Sequence, residues 1–113
     1  MHEMSLCESV LQILDASAKE QGFSTVKTVW LEIGVLSCVE PEAMRFSFDV
    51  VTRGTLAEGA ALEIERVQAT ARCLSCLQDV SVNRYGDLCS ACGGSDLQIS
   101  GGDQLRVKEL EVT

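Results

Sequence analysis

Four of the six cysteines in this chain fall in CLSC at 73–76 and CSAC at 89–92, and this C-x2-C-x12-C-x2-C pattern limits the fold more tightly than any other feature. Each C-x2-C folds as a tight knuckle whose two thiolates converge on one ion. Two knuckles complete the tetrahedral sulfur shell that Zn²⁺ accepts without geometric penalty. Cys73, Cys76, Cys89 and Cys92 are therefore the candidate zinc ligands. The spacer, with SVNRYGD at its centre, predicts a short hairpin, and Gly93 and Gly94 suit the turn after the second knuckle. Together these give the layout of a zinc ribbon. Disulfides or a dithiol redox site are the competing readings, but a redox site needs only one C-x-x-C, at the start of a helix in a strand–helix frame, and neither pair has that context. A shell closed by four thiolates has no open position, so this metal organises a fold and does not catalyse.

A lobe this small cannot bury enough apolar surface to fold without its metal or a host domain. The stretch from Thr70 to Gly102 carries no core-sized apolar pattern, and it reads as an insertion into the remainder of the 113 residues. Zinc ribbons often bind nucleic acid, so charge matters here. Within 70–102 the cations are Arg72 and Arg84, set against Asp79, Asp87 and Asp96, and Tyr85 is the lone aromatic. Over the whole chain the net charge is −8 and the pI near 4.5, a balance that repels phosphate backbones and anionic membranes. The chain has neither a secretory leader pattern nor an apolar run approaching the ~20 residues of a membrane span, and a cytoplasmic protein without membrane insertion is expected. In that reducing compartment paired cysteines are more often metal ligands than disulfides.

The remainder reads as an α+β host. Cys7, Val10, Leu11, Leu14 and Ala18 follow one helical stripe, with Ser5 and Glu8 as a capping box, Gly22 as the exit, and residues 1–4 ahead of the helix. TVKTVWLEIGVL at 25–36 alternates through Val29, Leu31 and Ile33 as a strand. Pro41 opens a second helix, with Met44, Phe48 and Val51 on one face, Phe46 and Val50 flanking, and Gly54 as its end. ALEIERV at 61–67 and LRVKELEV at 105–112 complete a three-stranded sheet, the latter with a phase slip between Val107 and Leu110 that marks a bulge. Trp30, Phe46 and Phe48 read as packing residues. Cys7 reads as a small buried hydrophobe, and Cys38 ends a strand near a turn; neither is given a ligand role. Glu63, Glu65, Glu109 and Glu111 read as solvated strand faces.

The single histidine, His2, follows Met1 directly. An α-amino group and an imidazole both offer neutral nitrogen lone pairs near neutral pH with little proton competition. The Met1 amine, the intervening backbone nitrogens and a His2 ring nitrogen can close chelate rings around one ion, provided the metal displaces amide protons. Such near-planar nitrogen shells suit Ni(II) and Cu(II), and Glu3 adds a carboxylate beside them. Affinity order alone favours copper; selection of nickel would come from metal availability and partner proteins.

MHE at 1–3, VWLEIG at 29–34, LSCVE at 36–40, FSFDVVTRGTLAEGA at 46–60 and the two C-x2-C pairs together resemble the HypA/HybF family, nickel metallochaperones of [NiFe] hydrogenase maturation. The resemblance spans nearly the whole chain. It implies nickel at Met1, His2 and Glu3, with His2 binding through its ring and the others chiefly through backbone nitrogen. It implies zinc at Cys73, Cys76, Cys89 and Cys92, in a ribbon (70–102) inserted into a small nickel-binding domain of two helices and a three-stranded sheet (1–69 and 103–113). It further implies a carrier and not an enzyme, one that works with the GTPase HypB and delivers nickel to the hydrogenase large-subunit precursor, as a monomer or weak homodimer. A zinc-ribbon adaptor that binds only protein, with His2 incidental, and a thiol redox regulator are the rival functions.

Overall fold

The computed structural model describes residues 2–113, so the expectation for Met1 lies outside the described residues. The elements are α1 (Glu3–Gln21), β1 (Val26–Gly34), α2 (Pro41–Val51), β2 (Ala61–Val67), β3 (Ala69–Cys73), β4 (Asp79–Val82), β5 (Leu97–Ser100) and β6 (Leu105–Val112). They build an α+β fold with two three-stranded sheets, ordered β2-β1-β6 and β4-β3-β5. The chain divides into two compact units. One takes the chain up to Leu31 with Val39–Glu65 and Arg106–Thr113, the other Glu32–Cys38 with Arg66–Leu105.

In the first unit, Cys7, Val10 and Leu14 form the buried stripe of α1, with Leu11 and Ala18 half-buried beside it. The helix starts earlier than the sequence pattern implies. Leu6 N–H donates to the His2 carbonyl at 2.9 Å, which makes His2 the N-cap and puts Glu3 and Met4 inside the first turn. No side-chain cap is made, so the Ser5/Glu8 capping box does not form. Nothing between Glu3 and Ser5 breaks a helix, a carboxylate in the first turn complements the helix dipole, and Glu3 extends the buried stripe by one step. The exit is as expected, with Gly22 N–H returning to Ala18 O at 2.8 Å.

Val29, Leu31 and Ile33 of β1 are fully buried, each contributing about 1.5–3 kcal/mol of apolar burial. Thr25 and Thr113 exchange backbone hydrogen bonds at one end of β1 and β6, and Gly34 donates to Gln104 at the other, so these strands run in opposite directions. Pro41 occupies the first turn of α2, where its missing N–H costs nothing. Met44 and Phe48, one helical turn apart, are buried. Phe46 points about half a turn away from them and is 69% exposed, so it is not a packing residue. Trp30 is half-buried. The helix ends at Val51, ahead of Gly54, and the buried Thr52 hydroxyl donates to Phe48 O at 2.7 Å.

In the second unit, β3 is central and antiparallel to both neighbours, with Ala71 opposite Val80 on one side and Ile99 on the other. Its core is Leu36, Ala69, Ala71 and Val82, with Val80, Leu97 and Ile99 packed against it. The hairpin expected within the spacer does not form there. Instead β4 pairs back with β3 across the first knuckle, and the rest of the spacer is a turn in which the Asp87 carboxylate accepts the N–H groups of Asn83 (2.9 Å) and Arg84 (3.2 Å). Gly34 and Gly102 approach so closely that a Cβ on Gly34 would collide with the Gly102 carbonyl, and one on Gly102 with Ala69.

Candidate metal centre

The two C-x2-C pairs fold as equivalent knuckles. Cys73 N–H donates to Gln78 O (2.9 Å) and Leu77 N–H to Cys73 O (2.8 Å); Cys89 N–H donates to Gly94 O and Gly93 N–H to Cys89 O, both at 2.8 Å. In each knuckle the residue after the second cysteine is left-handed, Leu77 at φ 63° and Gly93 at φ 77°. The turn therefore requires positive φ, and glycine meets the requirement in only one of the two.

These turns bring the four sulfurs within 4.8 Å of one another, with Cys73–Cys92 at 3.6 Å and Cys76–Cys89 at 3.8 Å. Four sulfurs about 2.3 Å from a central Zn²⁺ would stand about 3.8 Å apart, so the set fits a tetrahedral ion. Cys73 and Cys89 are buried, Cys76 is half-buried and Cys92 exposed. Backbone N–H groups stabilise thiolates here. The N–H of Cys76, with that of Ser75, holds Cys73 down at about 6, and the N–H of Cys92, with that of Ala91, lowers Cys89. Gly94 N–H does the same for Cys92, yet the three neighbouring sulfurs outweigh it and push Cys92 up to about 12. A cluster of thiolates repels its last negative charge, and a bound dication removes that obstacle.

Among the described residues, no second group of three or more His, Cys, Asp or Glu side chains is gathered this way. His2 is exposed at the start of α1, and the first rung of the helical ladder is donated by Leu6, so the backbone nitrogens of His2 and Glu3 lie ahead of that ladder. Glu3 is only 9% exposed, and its carboxylate accepts the Glu40 N–H at 3.3 Å. Glu40 in turn caps α2 through its own carboxylate, which accepts Glu42 N–H at 3.1 Å. The starts of the two helices are thereby tied together, a link between residues 37 apart that no local pattern announces. Cys7 is buried, its thiol facing the Met44 carbonyl at 3.4 Å, and burial pushes it up to about 11. Cys38 is exposed just past the turn at 35–37, at φ 60°.

A model of the family described as "Hydrogenase/urease nickel incorporation, metallochaperone, hypA" matches residues 1–112. Curated relatives named "Hydrogenase maturation factor HypA" include one from a Bradyrhizobium species, 55% identical over 112 residues, and one from Acidithiobacillus ferrooxidans, 57% identical over 112. In both cases 99% of each chain is covered. The fold is similar to the solution structure of the Ni metallochaperone HypA from Helicobacter pylori, with TM-score 0.70 at 24% identity, covering 99% of this chain and 97% of that one. No helix among the described residues is long and apolar enough to cross a membrane.

Proposed function

Since the chain belongs to the HypA family of nickel-incorporation metallochaperones, maturation factors and not enzymes, we propose that it carries Ni(II) at its amino terminus and hands it to a [NiFe] hydrogenase large-subunit precursor in the cytoplasm, together with the GTPase HypB. The His2 ring, the Met1 amine and the backbone nitrogens at His2 and Glu3 form the nickel site. The observation that carries this is the start of α1: the ladder begins with Leu6 donating to His2, so the nitrogens needed for chelation precede it, and metal-bound anionic amides sit at the favourable end of the helix dipole. The Glu3 carboxylate, held against the Glu40 N–H, anchors the arm to α2. Residues 1–69 with 103–113 serve as the nickel-binding domain, and 70–102 as a ribbon around a structural Zn²⁺ held by Cys73, Cys76, Cys89 and Cys92. A cargo metal needs open positions, which a four-thiolate shell lacks, so the two metals occupy separate sites.

Nickel titration of the native-terminus protein beside His2→Ala, with zinc content measured in both, tests this reading. Losing a primary ligand should cost nickel at least about 100-fold in affinity, beyond the ~10–100-fold that loss of an outer-shell partner costs, with zinc unchanged. Equal nickel binding by both proteins would leave a zinc-ribbon adaptor as the better description.

A further inference from the structure

We infer that the exposed leucines of the cysteine knuckles dock a protein partner: Leu77, with Leu74 and Leu88, receives an apolar side chain of that partner that has Lys or Arg beside it. Eight large apolar side chains stand exposed among the described residues, and four of them, Leu74, Leu77, Tyr85 and Leu88, fall within 70–102. The core of this unit does not use them, being made of Leu36, Ala69, Ala71 and Val82. Leu77 is 63% exposed and stands at φ 63°, where the Cβ of an L-residue is crowded. The second knuckle makes the same turn and fills the same position with Gly93, the residue that this backbone suits best. A leucine at this place adds strain and gains little burial within its own chain, which points to a side chain used outside it.

The backbone gathers these leucines at the metal centre. Leu74 and Leu77 flank Ser75 and Cys76 in the first knuckle, and Leu88 precedes Cys89, whose sulfur is 3.8 Å from that of Cys76. Leu77 and Leu88 are thus the chain neighbours of two adjoining sulfurs. Leu74 N–H donates to the Asp96 carbonyl at 2.9 Å, which brings an exposed aspartate next to the first knuckle. Asp79 is paired with Arg72 at 3.7 Å, whereas Asp96 makes no ion pair among the described residues. Across 70–102 Asp79, Asp87 and Asp96 outnumber Arg72 and Arg84, and four thiolates around a Zn²⁺ leave the centre itself negative. Apolar surface in negative surroundings selects an apolar anchor flanked by Lys or Arg, and it repels acidic chains. The occupant is such a segment of the hydrogenase large-subunit precursor, a choice that rests on the proposed function.

Titration of the purified precursor, and of HypB in parallel, onto the zinc-loaded, reduced protein tests the inference on wild type, Leu77→Gly, Leu77→Asn, Asp96→Asn and Ile13→Ser, with zinc and nickel binding measured on each. Glycine and asparagine both accept a left-handed backbone, so the two Leu77 variants should keep zinc at least as tightly as wild type. Each should nonetheless weaken docking of the precursor about tenfold or more, because the desolvated leucine is lost. A purely structural role for Leu77 moves the two readouts together, whereas an anchor moves them apart. Asp96→Asn and added salt should each weaken docking, as charge complementarity requires. Ile13, an exposed apolar residue of α1, is the control, and Ile13→Ser should stay within about twofold of wild type. Unchanged docking in both Leu77 variants, an equal loss in Ile13→Ser, leucine-dependent docking to HypB and not to the precursor, or a wild type that binds nickel but does not dock would each overturn the inference and leave the nickel site standing. A wild type that neither docks nor binds nickel would overturn the proposed function with it.

Discussion

Replacing Gly93 by Ala should weaken zinc binding by about fourfold, and by about fifteenfold at most, and the size follows from the knuckle. Gly93 stands at φ 77°, and a Cβ built there meets no heavy atom within 4 Å, so the cost is purely that of the backbone. A left-handed L-residue costs about 1–2 kcal/mol, and the lower chain entropy of Ala returns about 0.4–1 kcal/mol of it. Because the knuckle must form for the ion to bind, the remainder appears in the metal affinity, at about 1.4 kcal/mol per tenfold. The first knuckle supplies the opposite experiment. Leu77 holds the equivalent position at φ 63° and is 63% exposed, so Leu77→Gly relieves strain while sacrificing little burial. It should strengthen zinc binding by a similar factor. Competition against a chromophoric chelator under reducing conditions reads both constants. If Gly93→Ala binds zinc as tightly as wild type, or if both variants shift affinity in the same direction, the backbone argument is wrong.

Adding a few residues before Met1 turns the amine into a poorly donating amide and should weaken nickel binding as strongly as His2→Ala, while Glu3→Gln does less because its backbone nitrogen survives; calorimetric nickel titration checks all three, and an extended protein that binds as tightly as the native one removes the amine from the ligand set. Cys73→Ser should release the zinc and disorder residues 70–102 more than α1 and α2, a contrast that amide hydrogen exchange resolves directly. Cys7 supplies an alkaline transition: burial, with the charge of Glu3 behind it, raises the thiol from 9.0 to about 11. The folded state therefore holds this proton more tightly than the unfolded chain. The corresponding stability is fully present below pH 9 and is lost as pH rises through 11. Urea unfolding midpoints should fall across that window, and Cys7→Ala should remove Cys7's share of the slope.

The sequence by itself determined the metal centre, because a knuckle is closed by bonds spanning four or five residues and the cysteine spacing fixes it locally. It also determined β1 and the buried face of α2, where strict alternation and a helical turn between Met44 and Phe48 leave one arrangement that hides the apolar side chains. Family resemblance in short stretches from MHE to CSAC carried the functional expectation, which the match over residues 1–112 makes firm at the level of the family. Only the tertiary structure decided what depends on partners far away in the chain. Glu3 belongs to α1 and is buried there against Glu40, 37 residues on, where a local reading puts the helix start at Ser5. The hairpin beside the four clustered cysteines is made by β4 with β3, because Ala69, Ala71 and Val82 share a core with Leu36, a residue more than thirty positions before them. Small residues such as Ala69 carry almost no hydrophobic signal in a sequence, yet they are buried here since Gly34 and Gly102 let the backbones close over them.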